Sequence, residues 1–193
     1  MNDTEDRDDE WTLWWDARMA AMESILGKSA DLVGHGVIPF HFGADMGGVA
    51  DVVYFHHHVD GVVTVTAELI GNDDQFPNEQ GTYELMICSR KEDDWGANVI
   101  CQLAHYTLEA ALNPGETMDI GPAVPPGSTI AAFLFCDYGR FQVRDREAGL
   151  LLCLGITAEE LSECRAGNQL AVETALKEAG VFPFTDLFRK SVV

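Results

Sequence analysis

Basic residues are scarce in this chain: 12 lysines and arginines stand against 32 aspartates and glutamates, a formal net charge of −20 over 193 residues. No lysine and arginine cluster exists to displace counterions from a phosphate backbone, so nucleic acid is not an expected partner. No apolar run approaches the roughly 18 residues of a membrane span, and the acidic start, Met1 to Glu10, is the reverse of a secretion signal. The expected location is therefore the cytoplasm, with no membrane partner. The cysteines, Cys88, Cys101, Cys136, Cys153 and Cys164, are odd in number with no close pair. They lack the spacing of a disulfide framework or a zinc knuckle and read as reduced core thiols. Also missing are a Gly-x-Ser-x-Gly elbow and a phosphate-loop lysine, and nothing calls for a cofactor. So acidic a surface can steer a basic partner, or can merely serve solubility or a salt-adapted host.

What is present suits one compact domain. A hydrophobic fraction of 47% is ordinary for a globular chain, and no linker divides it. The expected organisation is an acidic lead, 1–10, frayed in solvent, followed by a single domain, 11–193. The run Leu150-Leu-Leu-Cys-Leu154 is too short for a free-standing helix and too apolar for an edge, so it reads as a central strand covered on both faces and ended by Gly155. Thr157 and Glu160 form a capping box that starts a helix at Ala158, stopped by Gly167. Leu170, Val172, Ala175, Leu176 and Ala179 then recur at helical spacing up to Gly180. Phe182, Phe184, Leu187 and Phe188 make the C-terminal segment too apolar for a free tail.

Earlier in the chain, Trp11, Trp14, Trp15, Met19, Met22, Ile25 and Leu26 give a stripe against Asp16, Arg18 and Glu23, predicting a helix over 11–26 closed by Gly27. The stripe reads as a face docking on a sheet; a partner anchor is the other reading of three tryptophans so close together. Val37–Phe42 reads as an edge strand with Pro39, and Asp45–Gly48 as a loop. Two alternating runs, 52–58 and 63–69, flank Asp60-Gly61, a hairpin signal. Tyr83–Cys88 reads as a strand, Arg90–Asp94 as a charged loop, Asn98–Leu112 as a deeply packed helix, and Ile130–Cys136 as a buried strand. Tyr138–Glu147, with Arg140, Arg144 and Arg146, reads as an exposed loop or edge. The order predicts an α+β domain with one mixed β-sheet covered by helices.

Few side chains offer chemistry. On a strand, His56 and His58 would project to one side with side chains about 6 to 7 Å apart, able to chelate zinc or copper. His35, His41 or Asp51 could supply a third ligand for a metal-dependent hydrolase. Histidines beside a hairpin turn also commonly stand half exposed and bind nothing. His105 reads as a core residue. Pairs such as Asp73-Asp74 and Asp93-Asp94 read as solvated loop. Glu68 and Glu84 interrupt strands, where a carboxylate can hold an arginine across the sheet; catalysis would need a perturbed pKa in a cleft. No catalytic residue and no resident metal is assigned.

Leu150–Leu154 with Gly155-Ile-Thr-Ala-Glu-Glu-Leu161, and Thr185-Asp-Leu-Phe-Arg-Lys-Ser-Val192, resemble the closing segment of the suppressor of fused domain family, particularly its bacterial single-domain members. Glu84-Leu-Met-Ile87 followed by Trp95 is similar to the family's Glu-Leu-Met-Ile strand with its downstream tryptophan. The likeness runs from about Val37 to the end. Ser89-Arg-Lys-Glu-Asp-Asp94 departs from the family's proline-containing turn. The resemblance implies a suppressor-of-fused-like α+β fold and a non-enzymatic protein-binding role. The family's longer animal members restrain zinc-finger transcription factors, and its bacterial single-domain members look like immunity proteins that neutralise a cognate toxin. The implied partner is thus a protein, and a basic toxin would suit the charge.

Overall fold

Leu150 to Leu154 are wholly buried and form the middle of the longest-buried strand in the molecule. A computed structural model of the chain describes residues 3–39, 49–91 and 93–193. Helix α1 (Asp3–Leu26) is followed by β1 (Val33–Pro39), β2 (Val49–Phe55), β3 (Val62–Thr66), β4 (Thr82–Ser89) and α2 (Asp94–Tyr106). Then come β5 (Thr117–Asp119), a single 3-10 turn at Gly121–Ala123, β6 (Ile130–Val143), β7 (Arg146–Thr157), α3 (Ala158–Arg165) and α4 (Gln169–Glu178). Seven described strands make one sheet in the order β1-β2-β3-β4-β7-β6-β5. Among the described strands only β4 and β7 pair in parallel, because the connection between them carries α2 across a sheet face; the fold is the expected mixed sheet with helices.

Side-chain alternation along β7 sorts the core into two layers. Leu150, Leu152, Leu154 and Ile156 pack with Met22 and Leu26 of α1, Leu161 of α3, Val172 and Leu176 of α4 and Phe184. Leu151 and Cys153 point the other way, onto Val99, Ile100, Leu103 and Ala104 of α2. Each buried leucine is worth about 1.5–3 kcal/mol relative to exposure. Both faces are covered, as the continuous apolar run requires.

Several boundaries differ from the sequence expectation. The acidic lead is helical: α1 begins at Asp3, since acidic residues favour the positive end of a helix rather than fraying it. Helix α2 begins earlier than Asn98, because Asp93 caps it by accepting from the Gly96 amide at 3.0 Å, and it ends at Tyr106, where the Thr107 hydroxyl donates to the Ala104 carbonyl at 2.7 Å. Of the two readings of Tyr138–Glu147, exposed loop or edge, the edge holds, since β5 reaches β6 only at Ala132–Leu134. The stretch is the far half of a long β6–β7 ribbon closed by Arg144 and Asp145, with Val143 paired to Arg146 and Arg144 at φ 57°. Nor does Gly155 end β7; its missing side chain admits Thr185, whose Cγ2 lies 2.6 Å from where a Cβ would stand. Gly61 does close the β2–β3 hairpin: its φ is 157° and a Cβ would lie 2.3 Å from the Ser89 carbonyl oxygen. The loop expected at Asp45–Gly48 lies outside the described residues, as does His41.

The C-terminal segment is packed down, though unevenly. Thr185 donates its amide to the Cys88 carbonyl and its hydroxyl to the Cys153 carbonyl, and accepts from the Gly155 amide at 2.8 Å. Phe184 and Arg189 are buried, whereas Phe188 stands 64% exposed.

Candidate functional site

The histidine run leaves the sheet before it can chelate. Strand β2 ends at Phe55, so His56 to His58 lie in the connecting bend rather than on one strand face. His56 and His57 are exposed, and His58 shares a 2.7 Å hydrogen bond with the Tyr138 hydroxyl, its pKa lowered by burial. His35 and Asp51 instead pair with each other across β1 and β2. Asp51 stands five positions before His56, a separation of about 16 Å along an extended chain. His56 and His58 therefore do not share the strand face that the hydrolase reading needs, and His35 and Asp51 sit at the wrong end of β2 to complete it. Among the described residues no three histidine, cysteine, aspartate or glutamate side chains converge to hold an ion. His105, expected in the core, is exposed on α2.

Two carboxyls raised by burial lie under α1. Glu84 of β4 is fully buried and accepts from the Thr66 hydroxyl at 2.6 Å and from the Leu69 and Ile70 amides at 2.9 and 2.8 Å. Burial pushes its carboxyl up to about 7, against the pull of Arg18. Glu68 does not interrupt a strand. It follows β3 in a bend, accepts from the Asp51 amide, and is raised to about 7 by burial and then by the Asp51 charge. Arg18, expected on the polar side of α1, is only 4% exposed and donates through Nη1 to the Ile70 carbonyl at 2.6 Å. The arginine expected against these strand carboxylates thus comes from the helix. Glu84 is closed off from solvent and satisfied by three donors, the arrangement of a structural carboxyl rather than of one poised over a cleft.

The arginines of the β6–β7 ribbon are consumed internally. Arg144 and Arg146 lie over the ring of Trp14, 4.9 and 5.1 Å from its centroid, and pair with Glu10 and Asp73. Arg140 pairs with Asp137 and Glu79. What reads in sequence as a basic loop is charge-balanced and fastens α1. Of the tryptophan stripe, none is fully buried; Trp11 and Trp15 stack on each other at 5.4 Å.

A site of a different kind lies at the opposite edge of the sheet. Strands β1 and β5 are the two edges of the described sheet. Glu116 accepts from the Phe135 amide and Ile120 donates to the Ala131 carbonyl, so the intervening Met118 also faces β6. Alternation turns the backbone groups of Thr117 and Asp119 to the open side, where a further strand could pair. Two cavities meet this edge and share Tyr106 of α2, which is 40% exposed. One, about 230 Å³, is walled by Val99, Leu103, Ile120 and Phe133; the other, about 420 Å³, reaches past Met118 and Phe135 to Arg165 and Gln169. Glu116 and Asp119 give the rim its acidity. The three-residue β5 was missed in the sequence because it has neither length nor alternation; the hint was Asn113-Pro114-Gly115, which ends one element and leaves room for another before Gly121.

The family described as suppressor of fused protein (SUFU) matches residues 58–190. No curated protein matches. Among solved structures, a suppressor of fused homologue from Neisseria gonorrhoeae aligns with a TM-score of 0.67 at 19% identity, covering 93% of this chain and 97% of that one. The crystal structure of the Sufu–Fu complex gives 0.72 at 13% identity, covering 92% and 91%. Drosophila Suppressor of Fused gives 0.55 at 11%, covering 83% of this chain and 42% of that one. At these identities the structural likeness is one of fold.

Proposed function

This chain belongs to the suppressor of fused family, and from that premise we propose that it is a protein-binding domain, not an enzyme, which receives an extended segment of its partner along β5. The observation that carries the reading is the open edge of β5 between two cavities: strand addition would supply main-chain hydrogen bonds, and alternate side chains of the added strand would enter the cavities. One relative of the same fold was solved as a complex, Sufu with Fu, which supports a protein as the partner. The net charge of −20 and the acidic rim favour a basic partner. We further infer an immunity role, in which the domain occludes a cognate basic toxin, such as a nuclease, encoded alongside it.

The test begins with low-salt capture of the partner from the native host, followed by titration of the purified pair. Thr117→Pro removes an outward amide that β6 does not use, so it should weaken binding at least about tenfold with an unchanged melting temperature. Tyr106→Ala should weaken binding as well. Undiminished binding by both variants would overturn the β5 site. A partner that is acidic, or a neighbouring gene product whose toxicity co-expression does not relieve, would overturn the immunity reading.

A further inference from the structure

Three carboxyl groups and one guanidinium are enclosed where α1 meets the sheet. Arg18 comes from α1, Asp51 from β2, Glu68 from the bend after β3 and Glu84 from β4; the guanidinium interacts electrostatically with all three carboxyls. Arg18 is nearly inaccessible, Glu68 is 9% exposed and Glu84 wholly buried. Nη1 of Arg18 donates to the Ile70 carbonyl, and Nε and Nη2 have no hydrogen-bond partner among the described residues, so the helix places its cation among the carboxyls without a direct hydrogen bond to any of them there. Other titratable groups reach the cluster from neighbouring elements: His35 of β1, paired to Asp51, and the Cys101 thiol of α2, which senses the charges of Asp51 and Glu68.

The charge count decides what this arrangement can do. With every carboxyl ionised, one guanidinium faces three negative charges. His35, itself largely exposed, lies at the solvent side of the cluster. Of the enclosed groups, one carboxylate balances Arg18 and two are in excess, and burying unbalanced charge is costly. Protons on the two glutamates remove the excess. We propose that α1 is a proton-coupled clasp, closed on the sheet when Glu68 and Glu84 carry protons and loosened when both ionise.

The sign follows from the same burial. Both carboxyls are raised to about 7 while α1 covers them, because burial, joined at Glu68 by the Asp51 charge, outweighs the pull of Arg18 and of the hydrogen bonds each carboxyl accepts. Uncovered, they would return toward the ordinary carboxylate range, so closing takes up protons and rising pH opens the clasp. Arg144 and Arg146 over the ring of Trp14, and the pair of Glu10 with Arg144, fasten α1 as well. Loosening would present Asp51, Glu68 and Glu84 to solvent as an acidic surface.

Hydrogen exchange of the whole chain, followed by mass spectrometry from about pH 6 to 8.5 and corrected for the intrinsic rate, tests this. The opening equilibrium of the α1 amides over 15–26 should rise by up to about tenfold per pH unit for each proton released, while β4 and β7 amides hold steady. Glu68→Gln should lower that slope, and Glu84→Gln should lower it too if it folds. Arg18→Met should move the midpoint to higher pH, because the cation that favours ionisation is gone; a merely structural role for Arg18 would leave the midpoint in place. A flat α1 profile, an undiminished slope in Glu68→Gln, or sheet amides that move together with α1 would overturn the proposal.

Discussion

Glu160 and Arg189 close a buried two-pronged ion pair, Nη1 to Oε1 at 2.6 Å and Nη2 to Oε2 at 2.5 Å, with side chains 0% and 6% exposed. The same carboxylate accepts from the Thr157 amide at 2.9 Å and the Val192 amide at 3.0 Å, while Arg189 also donates to the Gly155 carbonyl at 2.8 Å. One glutamate thus starts α3, as half of a capping box, and ties down the C-terminal segment. Removing one partner of such a pair strands the other's charge in the interior. Arg189→Met is therefore expected to cost about 3–5 kcal/mol in chemical denaturation and to open the segment after Thr185 to proteolysis. A loss below about 1 kcal/mol would show that the pair adds little beyond packing.

Acid and alkali should act on different carboxyls. Burial pushes Glu160 up, but hydrogen bonds from Arg189, Thr157 and Val192 together hold it below its ordinary value. Its contribution is present above the unfolded carboxylate range and is lost as pH falls through the folded value. Glu68 and Glu84, raised to about 7, do the reverse: their contribution is complete below about pH 4.5 and is lost as pH rises through 7. Stability measured by urea denaturation should peak on the acid side of neutrality and fall between pH 6 and 8, by up to about 3 kcal/mol for each group, less where the two titrate together. Glu84→Gln should flatten part of that fall, while Glu84→Ala, which leaves the Leu69 and Ile70 amides unpaired, should destabilise at every pH. Stability that rises from pH 6 to 8 would contradict this assignment.

Gly155 is expected to tolerate no side chain, although its backbone is ordinary β-strand. An added Cβ would meet Thr185 Cγ2 at 2.6 Å and Ile130 Cγ2 at 3.2 Å. Gly155→Ala should lower stability by about 1–3 kcal/mol through overpacking. Thr185→Ser deletes that methyl while retaining the hydroxyl that binds Gly155 and Cys153, so the double variant should recover part of the loss. Additive losses in a double-mutant cycle would place the strain elsewhere.

The cysteines should be inert in the folded protein. All five are buried thiols; burial raises Cys88, Cys101 and Cys136 to about 12, and raises Cys153 and Cys164 as well. A thiol-reactive dye should titrate five groups in denaturant and react only slowly without it, since the thiolate is the reactive form. One fast-reacting thiol in the native protein would identify a site that opens locally.

Residues alone decided whatever depends on near neighbours along the chain. Leu150–Leu154 declared a strand covered on both sides, Thr157 and Glu160 wrote out their capping box, and Asp60-Gly61 its hairpin, because periodicity and turn chemistry are local properties. Tertiary structure alone decided what depends on partners far apart in sequence. The charged stretch Tyr138–Glu147 became strand because its arginines found Trp14, Glu10, Asp73 and Glu79, and Gly155 stayed inside β7 because Thr185 arrives there from 30 residues away. Arg18 looked like a surface residue until β2, β4 and the bend after β3 brought three carboxyls beneath it. The β5 edge has no pattern to read: an edge is defined by the strand that is missing beside it, and only the assembled sheet shows where pairing stops.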